Sequence, residues 1–183
     1  MTIWFTSDWH LEHKNIMKYS RRPFNSVNDM NWTIINNFNS KIDENDVVYF
    51  LGDFCFNKYK TEEFLNAITG KIHFIMGNHD RGVKHLFRRY GETVSDITVL
   101  RHNDVSITLC HYPMVTFSRS HFNSWQLYGH HHRDTSQQIK GKRMNVGVDV
   151  HNFEPISIKK VARYMEKHEN NWDYIPRERR NRN

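Results

Sequence analysis

Ile72-His73-Phe74-Ile75-Met76-Gly77-Asn78-His79-Asp80 is the stretch whose reading decides the fold. An apolar run of mostly β-branched and aromatic residues meets a glycine, and an amide, an imidazole and a carboxylate follow with nothing between them. A buried strand that ends in a tight polar turn holds reactive groups rigidly at the edge of a sheet. In this reading Asn78 ligates a metal, His79 handles a proton, and Asp80 orients that histidine.

Four other segments share the pattern of an apolar run followed by polar groups. Ile3-Trp4-Phe5 leads to Asp8 and His10, and Val47 to Leu51 leads to Gly52-Asp53. Val105 to Cys110 ends at His111, and Leu127-Tyr128 runs into Gly129-His130-His131-His132. In extended backbone, residues i and i+2 point to the same side, so Asp-x-His and His-x-His can each reach one metal cluster. Seven side chains result: Asp8, His10, Asp53, Asn78, His111, His130 and His132. One metal takes about four to six ligands, so seven imply two metals with a shared carboxylate, and Asp53, alone in its turn, is the natural bridge. Imidazole, carboxylate and amide donors without thiolate suit Mn, Fe, Zn, Co or Ni.

The remaining pattern is α/β. Ser26 to Ile42 reads as a helix, with Ser26 and Asp29 able to cap it and Met30, Ile34, Ile35 and Phe38 at helical spacing. Thr61 caps a second helix that Gly70 closes, and a third covers Val83 to Tyr90. Val94 to Leu100 and Val105 to Cys110 form a hairpin around Asn103-Asp104, and a further hairpin turns at Gly141-Lys142 between Gln137 to Lys140 and Arg143 to Val146. Ser157 opens a last helix with Ile158, Val161, Ala162 and Met165 facing inward.

The chain has 183 residues and a formal charge of +6. Residues 1–170 read as one domain, and 171–183 as a basic, flexible tail containing Arg177, Arg179, Arg180 and Arg182. The charge favours anionic partners, phosphate esters and nucleic acids first. Two cysteines make no disulfide framework, and neither a signal peptide nor an apolar run of membrane-spanning length is present, so a cytoplasmic setting is expected. Thirteen histidines are an excess that invites a metal site.

Asp8-x-His10, Gly52-Asp53, Gly77-Asn78-His79-Asp80, His111 and Gly129-His130-x-His132 follow the order and spacing of the calcineurin-like metallophosphoesterase superfamily, which residues 1–150 resemble. Arg22-Pro23-Phe24 and Asn145-Val146-Gly147-Val148-Asp149 look like its compact stand-alone bacterial and phage members. The resemblance implies an α/β, four-layer-like β-sandwich of mixed sheets flanked by helices, with a dinuclear site at one edge. It implies Asp8, His10 and His132 on one metal, Asn78, His111 and His130 on the other, and Asp53 between them, with Mn the first choice. His79 matches the catalytic histidine and Asp80 its carboxylate partner. Where the family often has Thr or Ser, this chain has His131, either a substrate contact or an exposed residue.

Two cations about 3.5–4 Å apart make hydroxide available near neutral pH and stabilise charge on a phosphoryl group under in-line attack. His79 would protonate the leaving alkoxide. His13 with Lys14, Arg22, Arg81 and His131 are the candidate substrate contacts, Arg22 and Arg81 being either bidentate phosphate clamps or partners in surface or structural ion pairs; Trp9 and Trp125 are either base-stacking or core residues. The expected substrate is a phosphodiester of a nucleotide or other small molecule. The alternatives are a nuclease acting on DNA or RNA, and an idle family member serving as a protein-binding scaffold. A scaffold typically loses a ligand or the histidine at 79, and this chain keeps them all. Exposed sandwich edges also admit a homodimer.

Overall fold

Two sheets share the strands, and the chain crosses between them twice. The computed structural model describes residues 1–136 and 138–180; Gln137 of the expected hairpin and Arg182 of the expected tail lie outside the described residues. Sheet one is built from β1 (Ile3–Thr6), β2 (Val47–Phe50), β3 (Lys71–Ile75), β4 (Thr93–Ser95) and β9 (Ile156–Ser157). Its order is β4-β3-β2-β1-β9, parallel except for β9. Sheet two holds β5 (Ile97–His102), β6 (Val105–Cys110), β7 (Trp125–Tyr128) and β8 (Arg143–Asn145) in sequential order, with β5 antiparallel to β6 and the rest parallel. The helices are α1 (Lys14–Tyr19), α2 (Val27–Asn39), α3 (Thr61–Asn66), α4 (Lys84–Tyr90), α5 (Ile158–Lys167) and α6 (Arg177–Arg180). The result is the expected α/β architecture of two mixed sheets flanked by helices.

Strand alternation explains why β2 reads as continuously apolar. Val48 and Phe50 face a core shared with Met30, Ile34, Ile35 and Phe38 of α2. Tyr49 and Leu51 face the space between the sheets, with Phe5, Ile75, Ile107, Leu109 and Leu127. A strand covered on both faces needs apolar residues at every position. Helix α2 begins as its sequence dictates: Ser26 accepts the Asp29 N–H at 3.0 Å, while the Asp29 carboxylate accepts the Asn25 N–H at 3.0 Å. Ser157 caps α5 in the same way through the Lys160 N–H.

Three expectations are corrected. Val94 to Leu100 is not one strand: it breaks at Asp96, β4 pairing with β3 in sheet one and β5 pairing with β6 in sheet two. Alternation alone cannot show that a strand changes sheets. The Gly141-Lys142 turn makes no hairpin, because residues 138–140 form no strand for β8 to pair with, and β8 instead lies parallel to β7. Thr61 is the first residue of α3 rather than its cap; its hydroxyl donates to Asn57 O, and the helix ends at Asn66 with Ala67 as its C-cap, ahead of Gly70. Packing also continues past residue 170, where buried Asn171 donates to Ser120 O and Ser124 O. Among the described residues, no helix is long and apolar enough to cross a membrane.

All of the parallel strands of sheet one point their C-terminal ends at the same edge. The turn after β2 passes so close to the turn after β3 that a Cβ on Gly52 would sit 2.5 Å from Gly77 N and 2.8 Å from His111 Nδ1. Gly52 is also left-handed, at φ +91°. Gly52→Ala therefore meets both strain and backbone overlap, and we expect it to lose about 2 kcal/mol or more in urea unfolding. A loss below about 0.5 kcal/mol would show that the two turns are free to separate.

Candidate metal centre

The turns after β1, β2, β3, β6 and β7 meet at that edge and are tied to each other by their backbone N–H groups, which donate to backbone carbonyls and to buried carboxylates. Asp8 N donates to Gly52 O at 2.9 Å and His10 N to Asp53 O at 3.0 Å, joining the first two turns. His130 N donates to both Asp8 carboxylate oxygens at 3.0 Å, joining the turn after β7 to the first. Val148 N reaches Ser7 O at 3.1 Å, closing the seam between the sheets. Asp8, His10, Asp53 and His130 all hold left-handed backbone, with φ of 60°, 49°, 59° and 68°. Non-glycine residues in that region cost about 1–3 kcal/mol each and persist only where the surroundings enforce them.

The expected ligands converge. Asp53 Oδ2 lies 3.4 Å from His10 Nε2 and 3.4 Å from His111 Nε2, between the two imidazoles. On one side Asp8, His10 and His132 have ligand atoms within 4.8 Å of one another. On the other, Asn78 Oδ1 is 3.1 Å from His111 Nε2 and 3.1 Å from His130 Nδ1. Asp8 also groups with Asp53 and His111, and His79 with His10 and Asp53, so the two halves are contiguous.

These residues fit divalent cations. His10 is 2% exposed, yet neither of its ring nitrogens has a hydrogen-bond partner. Leaving a buried nitrogen unpaired is costly unless a cation occupies the lone pair. Other imidazoles are aimed by their second nitrogen: His111 Nδ1 lies 2.7 Å from Leu51 O, and His132 Nδ1 lies 2.8 Å from Asp149 Oδ2. Each leaves Nε2 turned to the carboxylates, as metal-binding histidines require.

The electrostatics show what a cation would replace. Burial pulls the His111 imidazole down, but the Asp53 hydrogen bond and the Asp8 and Asp53 charges outweigh it and raise its pKa to about 9. Burial pushes Asp53 up, and the His10 and His111 contacts overcome this and hold it far below the usual carboxylate range. Burial lifts Asp8 to about 6 and drops His10 to about 4. Without metal, a protonated His111 is the counterion of the buried carboxylates.

The catalytic and substrate candidates separate. His79 is exposed, its backbone N–H bonded to Asp53 Oδ1 at 2.9 Å and its ring edge-on to His10 at 5.2 Å. Asp80 does not orient that ring. Fully buried, its carboxylate accepts the N–H groups of Asp53 (2.7 Å), Gly77 (2.8 Å) and Phe54 (3.0 Å), so it locks the two turns together. What lies beside His79 is aromatic: Phe56 at 5.7 Å and His13 at 6.4 Å, these two stacked at 4.1 Å and 6°.

Arg22 is no phosphate clamp. Its guanidinium is buried and pairs bidentately with Asp149 at 2.7 and 2.8 Å, while its other N–H groups reach Asp8 O, Trp9 O and Met30 Sδ. Asp149 in turn holds His132, an orienting role that the sequence reading did not assign. Its signal was the pair of segments Arg22-Pro23-Phe24 and Asn145 to Asp149, whose connection spans 127 residues. His13 and His131 line the groove above the centre, of about 870 Å³, with Tyr19, Arg21 and Arg133 at its rim. Arg81 faces an adjoining pocket instead. Trp9 is core, 1% exposed.

Because His111 is protonated below about pH 9, it must shed its proton to ligate a metal at pH 7, and acid must compete with metal. Manganese titration of the metal-free chain at pH 7, by calorimetry in buffers of different ionisation enthalpy, should show about one proton or more released per chain. Affinity should weaken as the pH falls from 8 to 6. Uptake with no proton release would contradict the His111 assignment.

Comparison with known proteins gives the family. The family model for the calcineurin-like phosphoesterase superfamily domain matches residues 1–154. Protein MJ1445 of Methanocaldococcus jannaschii is 36% identical over 173 residues, covering 90% of this chain and 92% of its own. The gene 66 protein of Mycobacterium phage L5 is 25% identical over 178 residues, covering 80% and 86%. The crystal structure of AQ665 from Aquifex aeolicus superposes with a TM-score of 0.74 at 23% identity, over 89% of this chain and 98% of that one. The chain belongs to the calcineurin-like phosphoesterase superfamily.

Proposed function

We propose that the protein is a dinuclear, manganese-type phosphodiesterase acting on nucleotides or other small phosphodiesters, with His79 as general acid. The observation that carries this reading is the position of Asp53, one carboxylate oxygen equidistant from His10 and His111, with a ligand trio on either side. Asp8, His10 and His132 would hold one ion, and Asn78, His111 and His130 the other. When bound, such ions supply Lewis acidity toward the phosphoryl oxygens and toward water.

The chain's own residues do the rest. Asp53 Oδ1, by accepting the His79 N–H, fixes the turn that carries the acid. His79, exposed at the groove and flanked by His13 and Phe56, gives its proton to the leaving oxygen as the phosphorus–oxygen bond breaks. His13 and His131 form the walls against which the substrate rests. Among the described residues, the cations of this groove are Arg21 and Arg133 at the rim. The one guanidinium close to the expected metal positions among the described residues, Arg22, is spent on Asp149 and Asp8 O and does not line the groove, so the site suits the single negative charge of a diester better than a monoester dianion.

The test is hydrolysis of bis-p-nitrophenyl phosphate and p-nitrophenyl phosphate by metal-free chain reconstituted with manganese. Turnover should need metal and favour the diester. His79→Ala should keep its metal and lose about 10²–10⁴-fold on alkyl leaving groups, but far less on nitrophenolate, which needs little protonation. Equal losses on both would remove the general-acid role, and preference for the monoester would overturn the diesterase reading.

A further inference from the structure

Beside the metal centre lies a second pocket of about 430 Å³, with Asn78, Arg81, Lys84, Asp96, Cys110 and Tyr112 in its walls. Asn78 belongs to both compartments. Its side-chain oxygen meets His111 and His130 on one side, and the Tyr112 hydroxyl lies 3.5 Å away on the other. The Tyr112 ring packs edge-on against His111 at 5.0 Å and His130 at 4.9 Å, forming the partition.

Arg81 and Lys84 stand three residues apart, on the 3₁₀ turn Arg81–Val83 and at the first position of α4, and both line this pocket. Neither forms an ion pair among the described residues, unlike Arg22 with Asp149 or Arg89 with Glu62. Among the described residues Asp96 is the one carboxylate in the wall, and it is exposed, as Arg81 is. Two cations against one solvated carboxylate leave the pocket net positive. A guanidinium without an ion pair and an ammonium in the wall of the same pocket match a phosphate, whose oxygens take a bidentate arginine and a point charge together. The volume exceeds what a phosphate alone needs and suits one carried on a small organic group.

We propose that this pocket is a second-phosphate subsite: the substrate is a phosphoester bearing a further phosphate group, which Arg81 and Lys84 hold while the reacting phosphoryl group lies at the metal centre. The inference rests on the phosphoesterase reading above and narrows its substrate class. His79 lies on the other side of the centre, beside His10, His13 and Phe56. The second phosphate therefore belongs to the substituent that stays on phosphorus when the bond facing His79 breaks.

Two probe pairs test this on the manganese-loaded chain. One is the p-nitrophenyl ester of thymidine 5′-phosphate with and without a 3′-phosphate, followed by nitrophenolate release. The other is thymidine 3′,5′-bisphosphate against thymidine 5′-phosphate, followed by calorimetric binding. The doubly phosphorylated member of each pair should show a KM or Kd lower by about tenfold or more. Arg81→Ala/Lys84→Ala should bring both ratios close to one, and Arg81→Lys should recover part of them. Lys71→Ala, exposed at the far end of β3, should keep the wild-type ratios.

Equal KM and equal Kd within each wild-type pair would overturn the subsite and leave the proposed function standing. Ratios that fall as much in Lys71→Ala as in the double variant would also overturn it, showing a diffuse field instead. Tighter binding of the bisphosphate without turnover of either ester would sink the proposed function and keep the subsite. Neither binding nor turnover would overturn both.

Discussion

The Asp53 carboxylate is the group on which the other parts of this structure depend. It is 2% exposed, and a buried carboxylate is tolerable only when its oxygens and charge are answered. One oxygen takes the His79 N–H, and the other lies between His10 and His111. Its own backbone N–H is held by Asp80, which is buried as well. Asp8 adds a third buried carboxylate to the same edge. Without metal, Asp53 and Asp8 share the positive charge of His111. Divalent cations would supply the missing positive charge without the proton, so the demands of stability and of catalysis coincide at one oxygen.

That concentration of charge needs a rigid frame, and the two cores provide it. Four ligand residues adopt left-handed backbone that their side chains disfavour. They stay there because each turn is anchored in a strand whose apolar residues are fixed on one or both faces, Phe5, Val48, Phe50, Phe74 and Leu109 among them. Asp80 performs the same service with polar means. A short acceptor held by three backbone N–H groups fixes the relation of two turns more tightly than an exposed histidine contact would.

Much of this was legible in the sequence. The convergence of the seven expected ligand residues could be read because each follows an apolar run closely, and strand geometry is local enough to say which way i and i+2 residues point. Helix α2 was legible through Ser26 and its spaced apolar residues. What escaped depends on contacts between distant parts of the chain. Asp96, where the chain leaves one sheet for the other, has no local signature. Asp80 looked like a partner of its neighbour His79, but its acceptors were called on by backbone 26 and 27 residues upstream. For Arg22 the sequence left a phosphate contact and a structural ion pair open, because the carboxylate that consumes it is 127 residues away.

The seam at Ser7 and Gly147 carries a consequence for how the molecule comes into being. The bridge between these residues, and the Arg22–Asp149 pair beside it, join the first strand to the end of the last strand of sheet two. Closing a loop of that length is entropically expensive, and contacts so far apart in sequence form slowly. His132 gains its orienting carboxylate only when that closure occurs. On a ribosome the first ligands emerge early but wait for residue 149 before they can be arranged as a site. The order of synthesis thus leaves the His132 side of the edge unarranged until residue 149 has been made.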